Sequence, residues 1–104
     1  MTGSRQPQKV EIDRVIHEPA RLLLVAHLYV VERADYVFLM QNTDFTWGNL
    51  SSHLSKLEEA GYVEVVKDFV GRKPHTMVKL TRAGRQAFDT YRRQMKELLA
   101  DLPE

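Results

Sequence analysis

With 104 residues, of which 43% are hydrophobic and 28% charged, the chain has the profile of one globular domain and is too short for two. A formal charge of +1 excludes a uniform polycation, so any attraction to nucleic acid must be regional. The absence of cysteine excludes disulfides, thiolate metal sites and a cysteine nucleophile, and fits a cytoplasmic setting.

Residues 1–9, MTGSRQPQK, are polar, lack the apolar segment of a secretory signal, and read as a flexible tail before a single domain over 10–104. The longest apolar run, LLLVAHLYVV (22–31), is interrupted by His27 and too short to span a bilayer, so no membrane partner is expected. VEIDRVIHEPARLLLVAHLYVVER (10–33) reads as a short helix broken near Pro19 and a second helix starting at Pro19 or Ala20, since proline suits a first turn. That second helix is apolar on more than one side, which calls for broad burial or a partner. ADYVFLMQNTDF (34–45) gives a short third helix with Asp35 as N-cap, ended by Asn42, Thr43 and Asp44.

The fourth helix lies in TWGNLSSHLSKLEEAGYVEVV (46–66) and both its ends are specified. Thr46 caps it, Phe45 and Leu50 form a hydrophobic staple, and Gly61 with Tyr62 folding back on Leu57 makes a Schellman end. At 100° per residue, Leu54, Leu57 and Trp47 fall within about 60° of Leu50 and mark a core face. Gly48, Ser52, Ser55 and Glu59 lie opposite, flanked by Asn49, His53 and Lys56. Small polar residues are mediocre helix formers, because their side chains compete for backbone hydrogen bonds. A major groove accepts such a surface: small side chains let the helix sink in, Asn pairs with adenine, and Ser and Lys bind phosphates or base edges. An ordinary solvated helix face explains the same residues about equally well on their own.

The next segment, YVEVVKDFVGRKPHTMVKL (62–80), is two β-rich runs bent at Gly71 and Pro74, a hairpin with a basic tip. Between 67 and 85, six basic residues face one acidic residue, a regional charge of +5. A solvated charge run is the usual reason for such a cluster, but here it follows the polar helix directly, where a wing would straddle phosphates. Thr81 then caps a long helix over 81–102, with Phe88, Tyr91, Met95, Leu98 and Leu102 in a heptad-like stripe. Two short helices joined by a tight turn and followed by a hairpin make a winged helix-turn-helix, a mainly α fold with a β-hairpin wing.

Residues 48–88, GNLSSHLSKLEEAGYVEVVKDFVGRKPHTMVKLTRAGRQAF, resemble the winged-helix transcriptional regulators of the MarR and ArsR type, and most closely the small stand-alone winged-helix DNA-binding proteins. HEPARLLLVAHL (17–28) is similar to their first long helix, so the resemblance extends over roughly 10–102. It implies double-stranded DNA as partner and a homodimer held by the first and C-terminal helices, and leaves a small-molecule effector open. The expected DNA contacts are Thr46, Gly48, Asn49, Ser51, Ser52, His53 and Lys56 on the recognition helix (47–60) and Arg72, Lys73 and His75 on the wing (70–76). The expected dimer contacts are Leu22, Tyr29, Met95, Leu98 and Leu102. Two departures stand out: YVFLM (36–40) is more apolar than its counterpart, and Trp47 is bulky where a small or polar residue is expected, to be placed either in the core or against DNA.

The four histidines are scattered and form no convincing metal site, and no P-loop, dinucleotide fingerprint or catalytic serine motif is present. No cofactor, metal or catalytic residue is therefore expected. The rival reading is a winged helix that binds proteins without reading DNA, in which the apolar stripe of the last helix is the working surface.

Overall fold

The computed structural model describes residues 10–100, 102 and 103. The tail assigned to 1–9 lies outside the described residues. The elements run α1 (Pro19–Val31), β1 (Arg33–Asp35), α2 (Tyr36–Gln41), α3 (Trp47–Glu59), β2 (Val63–Val70), β3 (Lys73–Leu80) and α4 (Arg82–Ala100). This is the winged helix-turn-helix read from the sequence, with two corrections at its N-terminal side.

No helix forms before Pro19 among the described residues. Asp13 explains why: its carboxylate accepts the backbone N–H groups of Val15 (2.9 Å) and Ile16 (3.3 Å), and its carbonyl accepts that of His17 (2.8 Å). These bonds close a compact turn that competes with helix propagation. Glu18 then caps α1, accepting the Arg21 N–H at 2.8 Å, with proline in the first turn as expected. The second correction is β1, a strand absent from the sequence reading. Glu32, at φ 70°, turns the chain sharply out of α1 into it.

The sheet is antiparallel in the order β1-β3-β2, with Ala34 opposite Val78 and Val65 opposite Val78 on the other side. Val63, Val78, Leu80 and Ala34 face inward against Leu24, Val25 and Leu28 of α1, Leu39 of α2, and Leu50, Leu54 and Leu57 of α3. These side chains are almost wholly excluded from water. Truncating one of the leucines to alanine costs about 2–5 kcal/mol at such sites.

The ends of α3 form as the sequence specifies. Thr46 Oγ1 accepts the Asn49 N–H at 3.1 Å. At the other end the Tyr62 N–H reaches Leu57 O and the Gly61 N–H reaches Glu58 O, both at 2.9 Å, with Gly61 at φ 81°. Thr81 couples this end to α4: its N–H donates to Tyr62 O (3.0 Å), its hydroxyl donates to Gly61 O (2.6 Å), and the hydroxyl accepts the Gly84 N–H (3.0 Å). The end of α3, the wing's root and the start of α4 are thus joined at one point.

Candidate nucleic-acid interface

The exposed side of α3 carries Gly48, Asn49, Ser52, Ser55, Lys56 and Glu59, while Leu50, Leu54 and Leu57 are buried beneath it. The wheel drawn from the sequence therefore holds for the polar face. Ser55, opposite the core on the wheel like Ser52, belongs to that face too and adds to the expected contacts.

Three of the expected contact residues also have partners within the chain. Ser51 is half-buried, with its hydroxyl 3.5 Å from the Tyr36 hydroxyl. His53 is half-buried between α1 and α3: Arg21 Nη1 lies 3.3 Å from its Nδ1, and the Glu18 carboxylate is 3.9 Å away. Arg21 is itself fixed by donating from Nε to Val15 O at 2.6 Å. His75 sits on β3 with Nδ1 3.0 Å from Asp68 and Nε2 3.5 Å from Asp35. The Asp68 hydrogen bond, with a smaller contribution from Asp35, holds its pKa above the ordinary histidine value, against an opposing effect of desolvation. Asp35 is also the N-cap of α2, accepting the Phe38 N–H at 2.8 Å. His75 therefore ties the wing to the first helix of the helix-turn-helix rather than projecting free.

Of the two places open to Trp47, the structure excludes the core, although its wheel angle borders the core face. It is 57% exposed, because the buried Tyr36 ring occupies the inner position and the indole lies over it, with centroids 4.6 Å apart and planes at 54°. The α3 leucines form the core without it.

The wing is a tight hairpin in which Gly71 and Arg72 alone link the strands, Val70 pairing with Lys73 and Phe69 with Pro74. Pro74 thus lies in β3, not in the bend, and Gly71 (φ 65°) supplies the left-handed turn. Arg72 and Lys73 are both exposed at the tip. The hairpin also exposes Val66, Phe69 and Val70 of β2.

Away from this face, α4 packs on α1. Phe88 and Tyr91 are buried, Tyr91 hydrogen-bonded to His17 at 2.8 Å. Tyr29, expected at a dimer contact, is engaged within the chain. Its hydroxyl donates to Asp89 (2.6 Å), its ring lies 5.2 Å from Phe88, and the Arg85 guanidinium stands 4.3 Å above it. Leu22 and Met95 are half-buried and line an open groove with Phe88 and Tyr91. Leu98 is half-buried farther along α4. Leu102 lies beyond the end of α4 and is exposed, a correction to its place in the helical stripe. It precedes Pro103, and a residue before proline is disfavoured in helical conformation.

On the opposite side, the Tyr62 hydroxyl donates to Asp13, and burial together with that hydrogen bond pushes its pKa up to about 12. Among the described residues no group of three His, Cys, Asp or Glu is placed to hold a metal ion, and no helix is long and apolar enough to cross a membrane.

The fold has counterparts among known proteins. A solved structure described as a transcriptional regulator homologue from Pyrococcus horikoshii OT3 superposes with a TM-score of 0.79 at 26% identity, covering 85% of this chain and 87% of that one. An ArsR family transcriptional regulator shares the fold with a TM-score of 0.55 at 16% identity, each chain being covered to 84%. In sequence, an uncharacterized protein of Methanocaldococcus jannaschii is 36% identical over 78 residues, spanning 75% of this chain and 85% of that protein. The model of the family described as winged helix DNA-binding domain matches residues 20–99, from the start of α1 almost to the end of α4, and the chain belongs to that family.

Proposed function

We propose that this protein is a homodimeric transcriptional regulator that binds double-stranded DNA sequence-specifically, with α3 in the major groove and the wing tip on the backbone or in the adjacent minor groove. The observation that carries the reading is the exposed face of α3, small and polar from its first turn, beside an exposed Arg72-Lys73 tip. A capped helix of this kind presents hydrogen-bonding groups without bulk, as groove entry requires. The contacts retained are Thr46, Gly48, Asn49, Ser52 and Lys56 with Arg72 and Lys73, and Ser55 joins them. Ser51, His53 and His75 act as positioning residues through Tyr36, Arg21, Asp35 and Asp68.

The description of the Pyrococcus relative as a transcriptional regulator homologue supports the same role. Selection of bound sequences from a random duplex pool, followed by affinity measurements over a salt series, tests it. Arg72→Ala with Lys73→Ala should weaken all duplexes about equally and lower the salt slope by about 1–2 units, since each removed phosphate contact releases about one counterion fewer. An unchanged slope argues against a wing on the backbone. The rival reading places protein docking on the apolar stripe of the last helix; the exposed Val66, Phe69 and Val70 offer a second apolar surface for it, on the wing. That reading gains if no duplex binds with salt-sensitive affinity.

A further inference from the structure

Trp47 is the only tryptophan in the chain and one of its largest exposed apolar side chains. It occupies the first residue of α3, and in helix-turn-helix proteins it is the N-terminal residues of this helix that meet base edges. The indole is not a loose side chain. It packs against Tyr36, ring centroids 4.6 Å apart with planes tilted at 54°, and the Tyr36 ring is itself buried, so the indole has a packed neighbour on one side and solvent on the other.

Gly48, the next residue, gives a second and independent indication. Its φ is not positive, and a Cβ built on it would meet nothing within 4 Å. Neither backbone conformation nor internal packing requires glycine there, and glycine in a helix is otherwise unfavourable. The space it leaves open lies beside the exposed indole, where a partner can approach the backbone closely.

We propose that Trp47 is a specificity-determining residue whose indole face packs against the C5-methyl group of a thymine in each half-site, with Gly48 admitting the base edge close to the helix. The proposal rests on the reading of α3 as a major-groove helix. The chemistry narrows the partner. In the major groove of unmodified DNA the edges of the bases present hydrogen-bonding groups and one apolar group, the thymine methyl. An exposed aromatic surface set there finds its complement in that methyl, while the polar face from Asn49 to Lys56 takes the neighbouring donors and acceptors.

Because the tryptophan is unique, emission excited selectively from it reports on the surroundings of this one position. The experiment uses the full chain and the duplex recovered by selection, labelled with fluorescein for anisotropy. Saturation should quench or shift the tryptophan emission. Replacing thymines one at a time by deoxyuridine, which lacks the methyl, should weaken the wild type about three- to fivefold at one position per half-site, as expected for one lost apolar methyl contact. Trp47→Ala should bind more weakly and be insensitive to that same replacement. Trp47→Phe, which keeps an aromatic face, should retain the discrimination. Thermal melting of both variants checks folding.

Unchanged emission in a complex whose anisotropy proves saturation overturns the proposal. So does a Trp47→Ala protein that discriminates thymine from deoxyuridine as the wild type does, or a Trp47→Phe protein that binds without discrimination at any position. Absence of an anisotropy change with every duplex is a different result: it removes the DNA-binding reading itself, and this inference with it.

Discussion

Two glycines one helix apart show opposite uses of a missing side chain. Gly84, in the first turn of α4, is buried against the Tyr62 carbonyl and the Leu80 side chain, and a Cβ there would stand 2.8 Å from Leu80 Cδ1 and closer still to the Tyr62 backbone. The carbonyl cannot give way, because it already accepts the Thr81 N–H. Gly84→Ala should therefore destabilise the fold by about 1–3 kcal/mol or more, as overpacking does, read as a lowered denaturation midpoint in urea. Gly48 meets no such wall, and Gly48→Ala should leave stability unchanged or raise it by up to about 1 kcal/mol while weakening DNA binding. A destabilised Gly48→Ala protein would show that the glycine serves the fold. Asn49 follows the same logic from the polar side. If it pairs with adenine by two hydrogen bonds, Asn49→Ala should cost about 1–3 kcal/mol on the preferred duplex and less on random DNA. Equal losses on both would assign it to backbone positioning.

Among the elements, the wing carries a titrating group that bridges it to its neighbour. His75 links Asp68 on β2 to Asp35, the cap of α2, so protonation of one imidazole strengthens contacts that join the wing to the helix-turn-helix. Its pKa is raised in the folded protein above the ordinary 6.5. The stabilisation is therefore complete below pH 6.5 and is lost as the pH rises through the elevated folded value. Thermal melts across that interval should show the wild type losing stability relative to His75→Gln, and parallel pH profiles would remove His75 from the account. None of this linkage is legible in the sequence, because Asp35 and His75 lie far apart in the chain and meet only through the pairing of β1 with β3. The same non-local pairing hid β1, three residues long and too short to show an alternation. By contrast, α3 was legible to its ends, since cap, staple and Schellman glycine are all local signals, and the basic tip followed from Gly71 and its neighbours. The sequence leaves Trp47 open between the core and the outer face because its wheel angle borders the core, and the position of Tyr36 decides which ring goes inside. Ser51 and His53 looked available for the same reason: their partners, Tyr36 and Arg21, come from other helices.

At the scale of the whole molecule, α1 and α4 raise the question of a second subunit. Nineteen residues at 1.5 Å each make α4 about 28 Å long, and its first half is covered by α1 through Phe88 and Tyr91. Farther along, Met95 and Leu98 are only half-buried and Leu99 is 60% exposed, while on α1 Leu23 and Val30 also face outward. Apolar surface of this kind on two adjacent helices is what a twofold interface would cover. Dimerisation would also set two copies of α3 on one face of the duplex, so the selected sites should be near-palindromes with half-sites about one helical turn apart. Met95 touches the subunit's own core, so a charge there would confuse folding with assembly. Leu98→Glu with Leu99→Glu places the charges beyond that contact. This variant should sediment as a monomer in analytical ultracentrifugation, melt close to the wild type at equal subunit concentration once the loss of dimer linkage is allowed for, and bind a single half-site as well as before. Its affinity for the full palindrome should fall steeply, because the second half-site no longer binds at the high effective concentration a dimer provides. A wild-type monomer at micromolar concentration, or a variant that keeps both its dimer and its palindrome affinity, would rule out this interface.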